Sequence, residues 1–273
     1  MKYVLLLTDF SDTARNAIIY ALNMLKEENL YYKLINTYDL EFSGSPYVMQ
    51  VKDELAEESI KGLRNELQLI HRIFPEAKIE LASRFGPLID VIQEEIKDYD
   101  PDLIVLGNKG ESAIEHFLLG SNAYEIIKSI STPLLVVPKG AEFRKPEKIA
   151  FATDLQDFKD DKIVKPVREV VKYFDAELLF IHVLEESDKD RMEAEQKILS
   201  HFPDVKSSFH YMQGDDIFQK IRDFLDEEDV DIVIMIRHNV SFFNRFLHKS
   251  ITKQMVLHPK HTLIILRDKP KED

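Results

Sequence analysis

Three glycines and a serine are spaced as a phosphate-binding turn would need them. Gly107, Gly110 and Gly120, followed directly by Ser121, lie in a run that leaves an apolar strand and leads into a helix. Backbone without a Cβ lets N–H groups approach phosphate oxygens closely. A helix N-terminus adds unpaired N–H groups and the positive end of its dipole. Lys109 can supply one charge and the Ser121 hydroxyl one donor. The spacing is not a Walker A loop, since no Gly-Lys-Ser/Thr follows, and it is not Gly-x-Gly-x-x-Gly. Ordinary turn glycines are the competing reading of any one of the three.

Glycine is scarce enough for this clustering to count. The chain has 8 in 273 residues, about 3% where roughly 7% is usual. Seven of the eight lie at or before residue 140, and only Gly214 lies beyond it.

Other chemistries find less support. There is no cysteine, which excludes disulfides, thiolate metal sites and thiol nucleophiles. Seven of the nine histidines fall in the second half (His182, His201, His210, His238, His248, His258 and His261), but none form an H-E-x-x-H pair. They read as surface or packing residues, and no metal site is expected. Glu115 and His116 could orient a water, but no second carboxylate is spaced for a metal pair. A net charge of −13 argues against wrapping along nucleic acid. The apolar start Val4-Leu5-Leu6-Leu7 is closed by Thr8 and Asp9, and no run reaches the roughly 20 residues of a membrane span. A soluble, cytoplasmic protein without a membrane partner is expected.

The elements that must hold the glycine loop follow from hydrophobic periodicity. Ala14, Ala17, Ile18, Ala21, Leu22 and Leu25 recur at three- and four-residue steps and line one helix face, with Ser11 or Asp12 as its cap. Strands are predicted at 3–7, 33–37, 79–85, 103–106 and 134–137. Helices are predicted over 53–74, after Gly86-Pro87, and from about 121 to 130. The long helix is anchored by Leu55, Leu63, Leu67 and Ile70. Alternating strands and helices, with several strands apolar throughout, argue a parallel sheet covered on both faces.

The second half repeats this order, with strands near 149–153, 177–183, 207–212, 231–236 and 262–267. Ile149-Ala150-Phe151-Ala152-Thr153-Asp154 answers the first strand at an offset of 145 residues. Asp231-Ile232-Val233-Ile234-Met235 answers Asp102-Leu103-Ile104-Val105-Leu106 at an offset of 129. This is an internal duplication. Two α/β open-sheet domains are expected, each a five-stranded mostly parallel sheet, over 1–140 and 147–268, joined by the proline-bearing segment 138–146.

The run Gly107-x2-Gly110-x9-Gly120-Ser121 resembles the nucleotide loop of the universal stress protein family. Thr8-Asp9-Phe10-Ser11 and Ser131-Thr132-Pro133-Leu134-Leu135-Val136-Val137-Pro138 extend the resemblance, which covers essentially the whole chain as a tandem two-domain member. It implies an adenine nucleotide alpha hydrolase-like fold and binding of ATP or AMP, with or without Mg2+. Asp9 would receive the adenine edge, with Asn36 and Thr37 flanking base or ribose. Gly107, Lys109, Gly110, Gly120, Ser121 and Asn122 would hold the phosphates, and Thr8, Leu106 and Ala123 complete the implied site. The family also tends to dimerise through its last strand. Physically, the Asp9 carboxylate can accept from an adenine amino group or cap the next helix.

At the offset of 129, the three glycines become Ile236, Asn239 and Lys249, whereas Ser121 is kept as Ser250 and Asp9 as Asp154. Phe242, Phe243, Phe246 and Leu247 crowd the same segment. One nucleotide site per chain is expected, with the second domain a structural or partner-binding copy. The last strands, Leu134–Val137 and Leu263–Leu266, carry no charge, so an internal pseudo-dimer is expected, or a homodimer of chains. No catalytic residues are assigned. The alternatives are a slow ATP hydrolase of the same architecture and a ligand-free interaction scaffold.

Overall fold

A computed structural model describes residues 3–26, 29–40, 48–108, 121–153, 161–184, 191–213, 216–237 and 260–267. The chain divides into two compact units, Met1–Phe143 and Arg144–Asp273. The first unit runs β1 (Tyr3–Leu7), α1 (Asp12–Met24), β2 (Tyr31–Tyr38), α2 (Val48–Ile73), β3 (Lys78–Phe85), α3 (Leu88–Tyr99), β4 (Leu103–Gly107), α4 (Ser121–Ser129) and β5 (Leu134–Val137). Its strand order is β3-β2-β1-β4-β5, all neighbours parallel. The chain steps outward from β1 to β3, then returns past β1 to β4 and β5. Right-handed crossovers then put α1 and α2 on one face and α3 and α4 on the other. Accordingly α1 packs on β4 and β5, α2 on β2 and β3, and α3 beside α4.

Local chemistry explains the helix ends. Ser11 caps α1, its Oγ accepting from the Ala14 N–H at 3.1 Å. Gly86, at φ +130°, turns the chain so that Pro87 can open α3. The predicted apolar face of α1 is the buried one. The helix α2 starts at Val48 rather than 53. Among its residues of described burial, the buried ones are Ser59, Leu63, Glu66 and Ile70, so two of these four are polar and apolar periodicity understates the helix.

The second unit runs β6 (Lys148–Ala152), α5 (Asp161–Phe174), β7 (Glu177–Val183), α6 (Arg191–Ser200), β8 (Ser207–Met212), α7 (Ile217–Glu227), β9 (Ile232–Arg237) and β10 (Thr262–Arg267). The order β8-β7-β6-β9-β10, again all parallel, repeats that of the first unit. The repeated aspartate has a structural reason. Asp102 Oδ2 accepts from the Tyr3 N–H at 3.0 Å, tying the start of β1 to β4. Asp231 Oδ2 accepts from the Glu147 and Lys148 N–H groups at 2.8 and 3.1 Å, tying β6 to β9 in the same way. Arg144, at the start of the unit, bonds Asp229 and Asp231.

Each unit has its own core. In the first, Lys33 and Glu95 are buried within the apolar surroundings, 2.8 Å apart, and Arg84 reaches the other Glu95 oxygen at 2.6 Å. In the second, Phe151, Phe180, Phe202 and Phe209 form an aromatic cluster, with Phe180 and Phe209 stacked at 4.6 Å.

Candidate functional site

In the first unit the chain leaves β1 toward β2 on one side and the strand order places β4 on the other. The carboxyl edge of β1 and β4 is therefore the topological switch point, where open α/β sheets bind ligands.

The crest after β1 is held by three successive side-chain bonds to backbone. The Thr8 hydroxyl accepts from Phe10 N–H at 3.0 Å, Asp9 Oδ1 from Ser11 N–H at 3.1 Å, and Ser11 Oγ from Ala14 N–H. Ser11 is thus the cap of α1, and the exposed Asp9 carboxylate braces the turn before it. Phe10 adopts φ +66°, a left-handed conformation that costs a side-chain-bearing residue energy. Its ring is seated on Gly62 of α2, where an added Cβ would lie 2.5 Å from ring carbon Cζ.

Behind the crest runs a buried polar relay. The Asn36 amide donates to the Thr8 carbonyl at 2.8 Å, the Ser59 hydroxyl donates to Asn36 Oδ1 at 2.7 Å, and Ser83 Oγ donates to Ser59 Oγ at 2.8 Å. Three elements, β2, α2 and β3, are thereby tied to one carbonyl. Ser59, Gly62 and Glu66 share one face of α2, and Glu66 grips Arg15 of α1 through two 2.8 Å bonds. That hydrogen-bonded carboxylate raises the Arg15 pKa above its ordinary value.

The residues expected from the sequence meet at this edge in part. Thr8, Asp9, Asn36, Thr37, Leu106 and Gly107 gather at the ends of β1, β2 and β4. Asn36 faces inward, with both ends of its amide engaged in the relay. Gly107 is hemmed in by α1: an added Cβ would stand 2.8 Å from the Thr13 carbonyl oxygen. Its lack of a side chain is required by helix–strand packing, independently of any ligand. Ser121 and Asn122 open α4, and Ala123 is buried in its first turn. Lys109, Gly110, Gly120, Glu115 and His116 lie outside the described residues, as do Asp154, Asn239, Lys249 and Ser250 and the aromatic group at 242–247.

One residue at this edge carried no sequence signal. Asn108, between the motif glycines, is buried, and its Oδ1 meets no donor among the described residues. Among the described residues, no group of three or more His, Asp or Glu is arranged to hold a metal ion.

The corresponding edge of the second unit keeps the backbone and changes the side chains. Thr153 N–H donates to Ile181 O at 3.0 Å, as Thr8 N–H does to Ile35 O. His182 takes the place of Asn36, its Nδ1 lying 2.9 Å from the Thr153 carbonyl oxygen. Tyr211 takes the place of Ser83 and bonds Glu195 of α6. Ile236 takes the place of Gly107, each paired with the last strand of its unit.

The family model described as the universal stress protein family matches residues 1–138, just over half of the chain. The chain belongs to the universal stress protein family. This universal stress protein is 32% identical over 142 residues to one from Methanocaldococcus jannaschii, a match covering 50% of this chain and 82% of that protein. It is 28% identical over 178 residues to one from Synechocystis, covering 56% of this chain and 60% of the relative. Among solved structures, a universal stress protein from Archaeoglobus fulgidus aligns over 97% of this chain and 98% of its own length. The TM-score is 0.72 at 17% identity, a likeness of fold that extends across both tandem units. No described helix is long and apolar enough to cross a membrane.

Proposed function

We propose that the first unit of this universal stress protein binds an adenine nucleotide, ATP or AMP with or without Mg2+, and that it acts as a binding protein rather than a catalyst. The second unit, in this reading, is a structural or partner-binding copy. The observation that carries the reading is that α4 begins at Ser121, on the chain leaving the carboxyl end of β4 at the switch point. The unpaired N–H groups of that helix start suit a phosphate. The exposed Asp9 carboxylate suits an adenine amino group. Lys109, Gly110, Gly120, Ser121 and Asn122 would hold the phosphates beside Gly107, and bound nucleotide would supply a charge-dependent change at this edge.

Denaturing the purified protein and chromatographing the released small molecules tests the reading, together with calorimetric titration of ATP. Gly120→Val should weaken ATP binding by about tenfold or more, and a change at Lys249 should leave it as it was. No co-purifying nucleotide and no ATP heat would overturn the proposal. Steady phosphate release lost in Gly120→Val would replace it with the slow hydrolase.

A further inference from the structure

The buried carbonyl oxygen of the Asn108 side chain, which meets no donor among the described residues, carries one step more. Asn108 is the first residue past β4, and its N–H donates to the Val137 carbonyl at 3.0 Å, so its backbone stays in the β4–β5 ladder. The residue is 5% exposed, yet Oδ1 finds no donor among the described residues. Buried polar atoms are nearly always bonded, and an exception calls for a group that arrives from outside or for a local cost the fold sustains.

Its setting says what kind of group would arrive. Gly107 presents its Cβ direction to Thr13 of α1, so strand alternation turns Asn108 toward the other face, the one that carries α3 and α4. The β1–β4 register pairs Val4 with Leu103, Leu5 with Ile104 and Leu6 with Val105. Continued to the crest, it brings Asp9 level with Asn108. The edge then carries two oxygen acceptors, the exposed Asp9 carboxylate and the buried Asn108 amide carbonyl. Phosphate oxygens at neutral pH carry almost no protons and cannot satisfy either one. A base amino group or a ribose hydroxyl can. In the second unit the same position is Arg237, a side chain that only donates.

We propose that Asn108 is a ligand-contact residue whose carbonyl oxygen accepts a hydrogen bond from the nucleoside part of the nucleotide, a base amino group or a ribose hydroxyl. The inference rests on nucleotide binding by the first unit. It adds to the glycine loop a contact that reads the nucleoside and is indifferent to the number of phosphates. The competing occupant is a donor from residues 109–120, which would make the carboxamide a structural group.

Asn108→Leu, close in volume and without polar atoms, separates these in the full-length protein. Adenosine and ATP are titrated by calorimetry, and the unfolding temperature is measured without ligand. The expected result is an unfolding temperature equal to or above that of the wild type, because an unpaired buried acceptor is gone. Affinity should fall about tenfold for adenosine and ATP alike. Asn108→Ala should reproduce the affinity loss if leucine proves too bulky to fold. Unchanged affinities overturn the proposal, as does a loss confined to ATP, which would make Asn108 a phosphate donor. A lowered unfolding temperature with intact affinity overturns it in favour of the loop donor. Wild-type protein that binds neither adenosine nor ATP refutes the parent reading itself, a result read before any variant is made.

Discussion

At equal strand positions the two units solve the same packing problem with different chemistry. Register equates Lys33 of β2 with Leu179 of β7, Asn36 with His182, and Ser83 with Tyr211. The first unit buries an ion network and a hydroxyl–amide relay. The second places a leucine, an aromatic cluster and a histidine–tyrosine pair there. The strand pairings are the same in both, as is the threonine N–H bond at the crest. The duplication has kept what builds the sheet and altered what lines its carboxyl edge. Polar groups fixed by mutual bonds give the first unit a crest of defined shape, the condition for reading a small ligand, whereas aromatic packing needs only volume.

The ion network offers the largest test of that contrast. Lys33 and Glu95 are 2% and 1% exposed, whereas Arg84 is 41% exposed and can turn to water. Removing Lys33 leaves the buried Glu95 with the part-exposed Arg84 as its remaining cation, and removing Glu95 takes from the buried Lys33 its nearest carboxylate. Lys33→Ala should therefore cost about 3–5 kcal/mol in chemical denaturation. The double change Lys33→Leu with Glu95→Leu imports the apolar solution of Leu179 and should recover most of that loss. A single variant as stable as the wild type would show that the network adds nothing to the first unit's core.

The relay comes next in size. Asn36→Leu leaves the Thr8 carbonyl and the Ser59 hydroxyl without their partner, at a cost of about 1–3 kcal/mol. Asn36→His should cost less, because His182 shows that an imidazole can reach the crest carbonyl from this register position. Amide exchange at Phe10 and Ser11 reads the effect where it should be greatest, since their N–H groups are held by Thr8 and Asp9. If Asn36→Leu left those rates unchanged, the relay would not be what fixes the crest.

How far the sequence foretold this can be argued residue by residue. Ala14, Ala17, Ile18, Ala21 and Leu22 announced α1 because a buried helix face repeats every three to four residues. Gly86-Pro87 announced α3 because only a glycine tolerates the φ that the turn requires. The ion network was illegible. Lys33 and Glu95 stand 62 residues apart, and a lysine inside a strand reads as solvent-facing until its partner is located. The same holds for Gly62 and Gly107, whose reason is another element's atoms, Phe10 and Thr13. The Gly107 spacing pointed to the carboxyl edge of β4, although packing against α1 suffices to demand that glycine. Asn108 was hidden because a motif written as glycines leaves the positions between them blank.

Acid sensitivity supplies the smallest test, and it concerns the second unit, where most of the histidines lie. His261 precedes β10, with Nε2 3.5 Å from Asp226 Oδ1. Burial, the dominant influence, lowers its pKa from the ordinary 6.5, while Asp226 pulls the other way and Lys260 and Arg222 add to the lowering. The folded chain therefore resists a proton that the unfolded chain accepts. This contribution to stability is complete above pH 6.5 and is lost as the pH falls below it, toward the depressed folded value. Asp226, held below its ordinary value chiefly by the Lys260 hydrogen bond, loses its contribution in the same direction. It does so only below about pH 4, where carboxylates titrate, so the two windows separate. His261→Asn should flatten the stability profile between pH 7 and 5 and leave the acid limb below pH 4 in place. A profile that kept its slope in the variant would put the source of acid sensitivity elsewhere and remove His261 from the contrast between the units.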